Sequence, residues 1–234
     1  MPAEVTAKDR LQGRTLWVPR MTYVGARLFS AVFRSIGIDA RPCPESDHRT
    51  LELGGLYTSG EECYPGKITI GDFLRVMEDD DFDPKRTAFF MPTAEGPCRF
   101  GQYAPYLEQV LRERGCAEIP VVSPTSKDGY DGFGAAMVRS LWRGLIAGDI
   151  LRKMLLKTRP YETQPGAADA AFERGIERVE EVLMDPSLGA SARMSELIEA
   201  LKDVREYFHA VPARYVKHKP LIGVVGEIFC RLNT

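Results

Sequence analysis

The 234-residue sequence is short of several things, and each shortage removes a class of function. Only three histidines occur, His48, His209 and His218, and they are scattered, with no Ser or Cys partner implied by spacing. A Cys–His nucleophile pair therefore has no positive signal beyond the presence of the two residue types. The formal charge is −2, which gives no reason to expect nucleic acid or an anionic membrane as a partner. No apolar run reaches the roughly 18 residues that a spanning helix needs. The nearest candidate, residues 141–156, carries Arg143, Asp149, Arg152 and Lys153. The first fourteen residues are polar and lack the apolar core of a signal peptide. There is no internal repeat, no low-complexity tract and no CxxC pair. Apolar content of 44% and charged content of 27% are those of an ordinary globular protein with a substantial core.

Five cysteines are present, and with no export signal they are expected in the cytoplasm. In that reducing compartment metal binding or redox work is favoured over structural disulfides. Two of them organise the residues 57–103. The first loop reads Tyr57-Thr-Ser-Gly-Glu-Glu-Cys63-Tyr-Pro-Gly-Lys67, and the second Phe90-Met-Pro-Thr-Ala-Glu-Gly-Pro-Cys98-Arg-Phe-Gly-Gln-Tyr103. Each sets one cysteine among Gly, Pro and small polar residues, where backbone N–H groups can face a ligand.

Periodicity gives an α/β order. Short apolar runs at 15–21, 38–43, 87–92 and 119–123 predict buried strands, and helical spacing over 26–36, 68–78 and 103–114 predicts the helices between them. Residues 44–55 predict one short helix and a turn. The charge run at 78–84 predicts a solvated helix end and turn, with a divalent-cation site as the alternative. After Pro124 the pattern changes to a Gly/Asp-rich loop over 126–134 and three amphipathic helices over 137–157, 172–184 and 194–208. Residues 210–220 form a basic linker, and Leu221-Ile-Gly-Val-Val-Gly-Glu-Ile-Phe229 predicts a further buried strand. The expected fold class is α/β: a parallel Rossmann-like sheet with a helical segment. The expected divisions are 14–125 for the α/β unit with the cysteine loops, 126–209 for the helical segment, and 220–234 for the last strand. That strand either joins the first sheet or opens a second α/β domain.

In this arrangement Cys98 follows a parallel strand, where open α/β sheets place ligands, and Cys63 precedes a helix, whose free N–H groups favour a thiolate. Both positions suit a metal or cluster; both also suit small buried apolar residues. Two thiolates do not complete a four-thiolate site. Cys43 and Cys230, each after a predicted strand, are candidates for a third, while Cys116 belongs to the opposite sheet edge. Gly60-Glu-Glu-Cys-Tyr-Pro-Gly-Lys67 fails as a phosphate loop, with one residue too many between its glycines and Ile68 in place of Ser/Thr. Gly129-Tyr-Asp-Gly-Phe-Gly134 fails the dinucleotide spacing.

Taken together, Gly60-Glu-Glu-Cys-Tyr-Pro, Thr69-Ile-Gly-Asp72, Phe90-Met-Pro and Gly96-Pro-Cys-Arg-Phe-Gly-Gln-Tyr103 resemble the 2-hydroxyglutaryl-CoA dehydratase D-component-like proteins. Arg159-Pro-Tyr-Glu162 and Gly226-Glu-Ile-Phe229 extend the resemblance over most of the chain from Thr15. It implies two α/β domains with a helical segment between them and an oxygen-sensitive [4Fe-4S] cluster held by cysteines in the crevice. It also implies an ATP-hydrolysing activator of the sugar kinase/Hsp70/actin superfamily as electron donor, a second dehydratase-like subunit, and a 2-hydroxyacyl-CoA substrate. Cys63 and Cys98 are the residues it places on the cluster; the third ligand stays open. It further implies that the sequence stops where a second domain begins. The alternative expectation is a cluster-free subunit or scaffold of an activase complex.

Overall fold

Four short apolar segments make one sheet in which every strand is parallel. The computed structural model describes residues 7–125, 130, 133–217 and 219–233. Strands β1 (Thr15–Val18), β2 (Ala40–Pro42), β3 (Thr87–Phe90) and β4 (Val121–Val122) lie in the order β2-β1-β3-β4. Leu16 stands opposite Ala40 on one side and Ala88 on the other, and Phe89 opposite Val121. After a first turn α1 (Ala7–Arg10), α2 (Tyr23–Arg34) connects β1 to β2. The helices α3 (His48–Tyr57) and α4 (Tyr64–Val76) lie between β2 and β3, and α5 (Tyr103–Glu113) between β3 and β4. Three long helices follow: α6 (Gly134–Thr158), α7 (Ala167–Met184) and α8 (Ala190–His209). The α/β fold with a parallel Rossmann-like sheet and a helical segment is as expected. The Gly/Asp-rich loop predicted at 126–134 falls largely outside the described residues, and so does His218.

Because successive strand side chains point to opposite faces, the sheet divides its own residues between two cores. Leu16, Val18, Ala40, Ala88, Phe90 and Val122 join α2, α6, α7 and α8 in one core. Phe89, Met91, Val121 and Cys43 join α3, α4 and α5 in the other, with Trp17 packed against them. Strand order reverses between β1 and β3, since α2 covers one face and α3 and α4 the other. The carboxyl ends of those two strands therefore open a crevice at the switch point, the usual ligand position in such sheets.

Glycine sets the position of α4. A Cβ on Gly71 would stand 2.1 Å from the Thr50 carbonyl oxygen, and one on Gly54 would stand 2.2 Å from that of Lys67. The two helices thus touch backbone to backbone, and this close approach fixes where the Cys63 loop enters α4.

One predicted element is absent. Residues 221–227 form no strand, and no strand of the described sheet pairs with them. Leu221, Ile222, Val224 and Val225 are exposed, and Ile228–Leu232 is a short helix, α9. Glu227 caps it by accepting from the Cys230 N–H at 2.8 Å, and Phe229 is buried against the Tyr64 ring. The β-branched composition is real, but strand propensity is realised only where a neighbouring strand satisfies the backbone. The charge run at 78–84 is a helix end and turn, with Asp83 capping the 3-10 turn at Pro84–Arg86. Of the supporting motifs, Glu162 accepts from Gly166 and Ala168 N–H groups and caps α7.

Candidate functional site

The two cysteine loops are stitched to one another. Cys63 is the N-cap residue of α4, with Pro65 in the first turn and no side-chain cap bond, so first-turn N–H groups stay open. Cys98 is the N-cap residue of the 3-10 turn Arg99–Gln102, which runs into α5, again without a side-chain cap. The Arg99 guanidinium donates to the Glu61 carbonyl, clamping the second loop onto the first. Below it the Tyr106 hydroxyl donates to the Tyr57 carbonyl, and Arg114 donates to the Tyr57 hydroxyl at 2.9 Å.

Tyr103 stands at the centre. Its hydroxyl lies 2.8 Å from Cys63 Sγ, its ring meets Phe100 edge-on at 5.2 Å between centroids, and it is 8% exposed. Burial pushes the phenol well above its ordinary pKa, and the Cys63 hydrogen bond and the charges of Cys63, Cys98 and Glu227 add to that push. Cys63 is half-buried and Cys98 exposed. A cavity of about 360 Å³ opens beside Cys63, between Gly66, Arg99, Tyr103 and Tyr106. A second, apolar cavity of about 390 Å³, with Phe100 in its wall, occupies the switch point between Pro19, Phe29, Pro92, Trp142 and Leu145.

The remaining cysteines separate clearly. Cys43 follows β2 as expected, but it is 3% exposed inside the core of α3, α4 and α5. Burial, and then the charge of Asp72, push its thiol well above the usual range. Cys230 is exposed on the first turn of α9, whose Phe229 packs on Tyr64, the residue after Cys63. Cys116 lies between the end of α5 and β4, at the amino edge of the sheet, with its Sγ 3.6 Å from the Arg114 carbonyl. His48 and His209 are exposed and each sits beside a glutamate of its own helix, Glu52 and Glu206.

Two features lie beyond what the sequence leads one to expect. The Cys63–Tyr103 bond joins residues forty positions apart, and no local pattern announces it. Asp72 has a signal: it is an acidic residue within the apolar run of α4. It is 1% exposed, and Ser46 Oγ donates to it at 2.9 Å. Burial raises its pKa to about 7, against the opposing effects of the Ser46 bond, Arg20, Thr50 and Arg75.

Among the described residues no three His, Cys, Asp or Glu side chains form a ready-made metal cage. Thiols are the donor type that a soft metal takes, and Cys63 and Cys98 each stand at a turn without a side-chain cap. Compared with known proteins, the chain matches no family model, no curated protein and no solved structure.

Proposed function

We propose that this chain is an iron–sulfur protein related to the 2-hydroxyacyl-CoA dehydratase components, with Cys63 and Cys98 as thiolate ligands of a [4Fe-4S] cluster. The observation that carries the reading is that the two cysteine loops are joined, by the Arg99 clamp onto the Glu61 carbonyl and by Tyr103 of the second loop reaching Cys63 Sγ at 2.8 Å. Cys63 stands at the N-terminus of α4, and the Arg99 clamp ties the turn that Cys98 begins to the Cys63 loop. Cys230 is the better third ligand, because it is exposed on a helix packed against Tyr64, whereas Cys43 would first have to leave the core. A cluster bound there supplies one-electron transfer and an open Lewis-acid position. The chain's own part is to hold the thiolates, and to offer the apolar cavity at Phe100 to an acyl group. In this reading an ATP-hydrolysing activator of the sugar kinase/Hsp70/actin superfamily gives the electron, a second dehydratase-like subunit and an acyl-CoA complete the system, and the setting is the reducing cytoplasm. No described helix is long and apolar enough to cross a membrane.

The exposed apolar side chains of Leu221, Ile222, Val224 and Val225 favour a second reading, a cluster-free subunit that adds this segment to a partner. Anaerobic reconstitution with ferrous iron and sulfide separates the two. Visible sulfur-to-iron absorption that bleaches on dithionite reduction, with a paramagnetic signal in the reduced protein, is the expected result. A protein that stays colourless under these conditions belongs to the second reading.

A further inference from the structure

The two thiols are not equivalent, and Tyr103 is the reason. Its ring is held on several sides: Phe100 meets it edge-on, and Gly66 leaves only the room it needs, since a Cβ there would stand 3.0 Å from Tyr103 Cε1. The hydroxyl cannot swing away without moving that ring, and it stands 2.8 Å from Cys63 Sγ. A thiolate has no proton to give, so the bond with ionised Cys63 runs from Tyr103 Oη–H to Sγ.

We infer that Tyr103 is a positioning residue for Cys63, fixing the direction of its sulfur and drawing negative charge from it through the phenol hydrogen bond. Cys98, exposed at its turn, is then the adjustable arm and Cys63 the fixed one. For a metal ligand the consequence is weaker electron donation by Cys63, and hence a higher reduction potential for the bound centre. That consequence rests on the proposed cluster ligation, but the bond itself is testable without metal.

In the metal-free full chain, limiting iodoacetamide at neutral pH followed by peptide mass spectrometry gives the alkylation rate of Cys63 relative to Cys98. Removing the hydroxyl releases Cys63 Sγ from the direction that the bond sets. Tyr103→Phe should therefore change the Cys63 rate about threefold relative to Cys98. Gly66→Ala, which displaces the ring without removing the hydroxyl, should shift the ratio in the same direction. In reconstituted protein, Tyr103→Phe should move the potential of the centre to a more negative value, a change that mere loosening of packing does not dictate. An unchanged Cys63 ratio in both variants, with circular dichroism showing them folded, overturns the inference. A shifted ratio in a protein that takes up no iron leaves the hydrogen bond standing and removes the cluster reading instead.

Discussion

The two faces of the sheet are built to different ends. On the face of α2, α6, α7 and α8 the core is Leu, Val, Ile, Ala and Phe with Met137, and Phe33 is fully buried with its ring 5.0 Å from that of Phe90. The polar groups there tie helices together: Arg27 of α2 donates to both carboxylate oxygens of Glu180 on α7, at 3.0 and 2.6 Å, and also to Glu173. On the face of α3, α4 and α5 the core includes Cys43 and the phenol of Tyr103, with buried Asp72 on α4 and both cysteine loops at its carboxyl edge. One face is a scaffold. The other tolerates a buried acid and a thiol–phenol bond, and such costs are kept where they serve chemistry.

The comparison can be broken in order of effect. Phe33→Ala and Phe73→Ala should each cost about 3–5 kcal/mol in chemical denaturation, because both rings are fully buried. The site distinguishes them: only Phe73→Ala, in the core of α4, should also alter the alkylation rate of Cys63. Equal effects on Cys63 would mean that the two faces are not separate.

Asp72 comes next. Its carboxyl is held at about 7 in the folded chain against 3.8 for an unperturbed aspartate, so between those values the folded state keeps a proton that the unfolded state releases. The stabilisation is therefore complete below about pH 4 and is lost as pH rises through about 7, at up to about 1.4 kcal/mol per pH unit. Urea titrations at several pH values should show that decline, and Asp72→Asn should flatten it and be more stable than the parent at pH 8. An unaltered slope in Asp72→Asn would place the acid outside the buried network of Ser46, Thr50 and Arg20. The smallest effect expected is at the glycine contact. Gly71→Ala, with its Cβ against the Thr50 carbonyl, should cost about 1–3 kcal/mol by forcing α3 and α4 apart. Gly55→Ala, where the added Cβ meets open space, should be neutral or mildly stabilising in the same denaturation assay.

Much of this plan is legible in sequence, because its signals are local. The apolar runs holding Leu16, Ala88 and Val122 mark strands, and the spacing of Leu28, Val32 and Phe33 marks α2, with helix ends shifted by a few residues. The cysteine loops are legible as loops, from their Gly and Pro. What sequence does not show is what depends on non-local pairing. Residues 221–225 look like a strand whether or not a neighbour exists to pair with them. Cys43 and Cys230 both read as following strands; burial of one and exposure of the other follow from how α3, α4 and α9 pack. Tyr103 looks like the start of a helix, and its bond to Cys63 exists because α5 and α4 meet.

The central claim is that Cys63 and Cys98 serve one metal–sulfur centre. Its most direct test is the iron and acid-labile sulfide bound per chain in anaerobically isolated protein, compared among the parent, Cys63→Ser, Cys98→Ser and Cys116→Ser. The account predicts that iron and sulfide are lost together in the first two variants and kept in Cys116→Ser. Iron retained in both Cys63→Ser and Cys98→Ser, or absent from the parent, would contradict it.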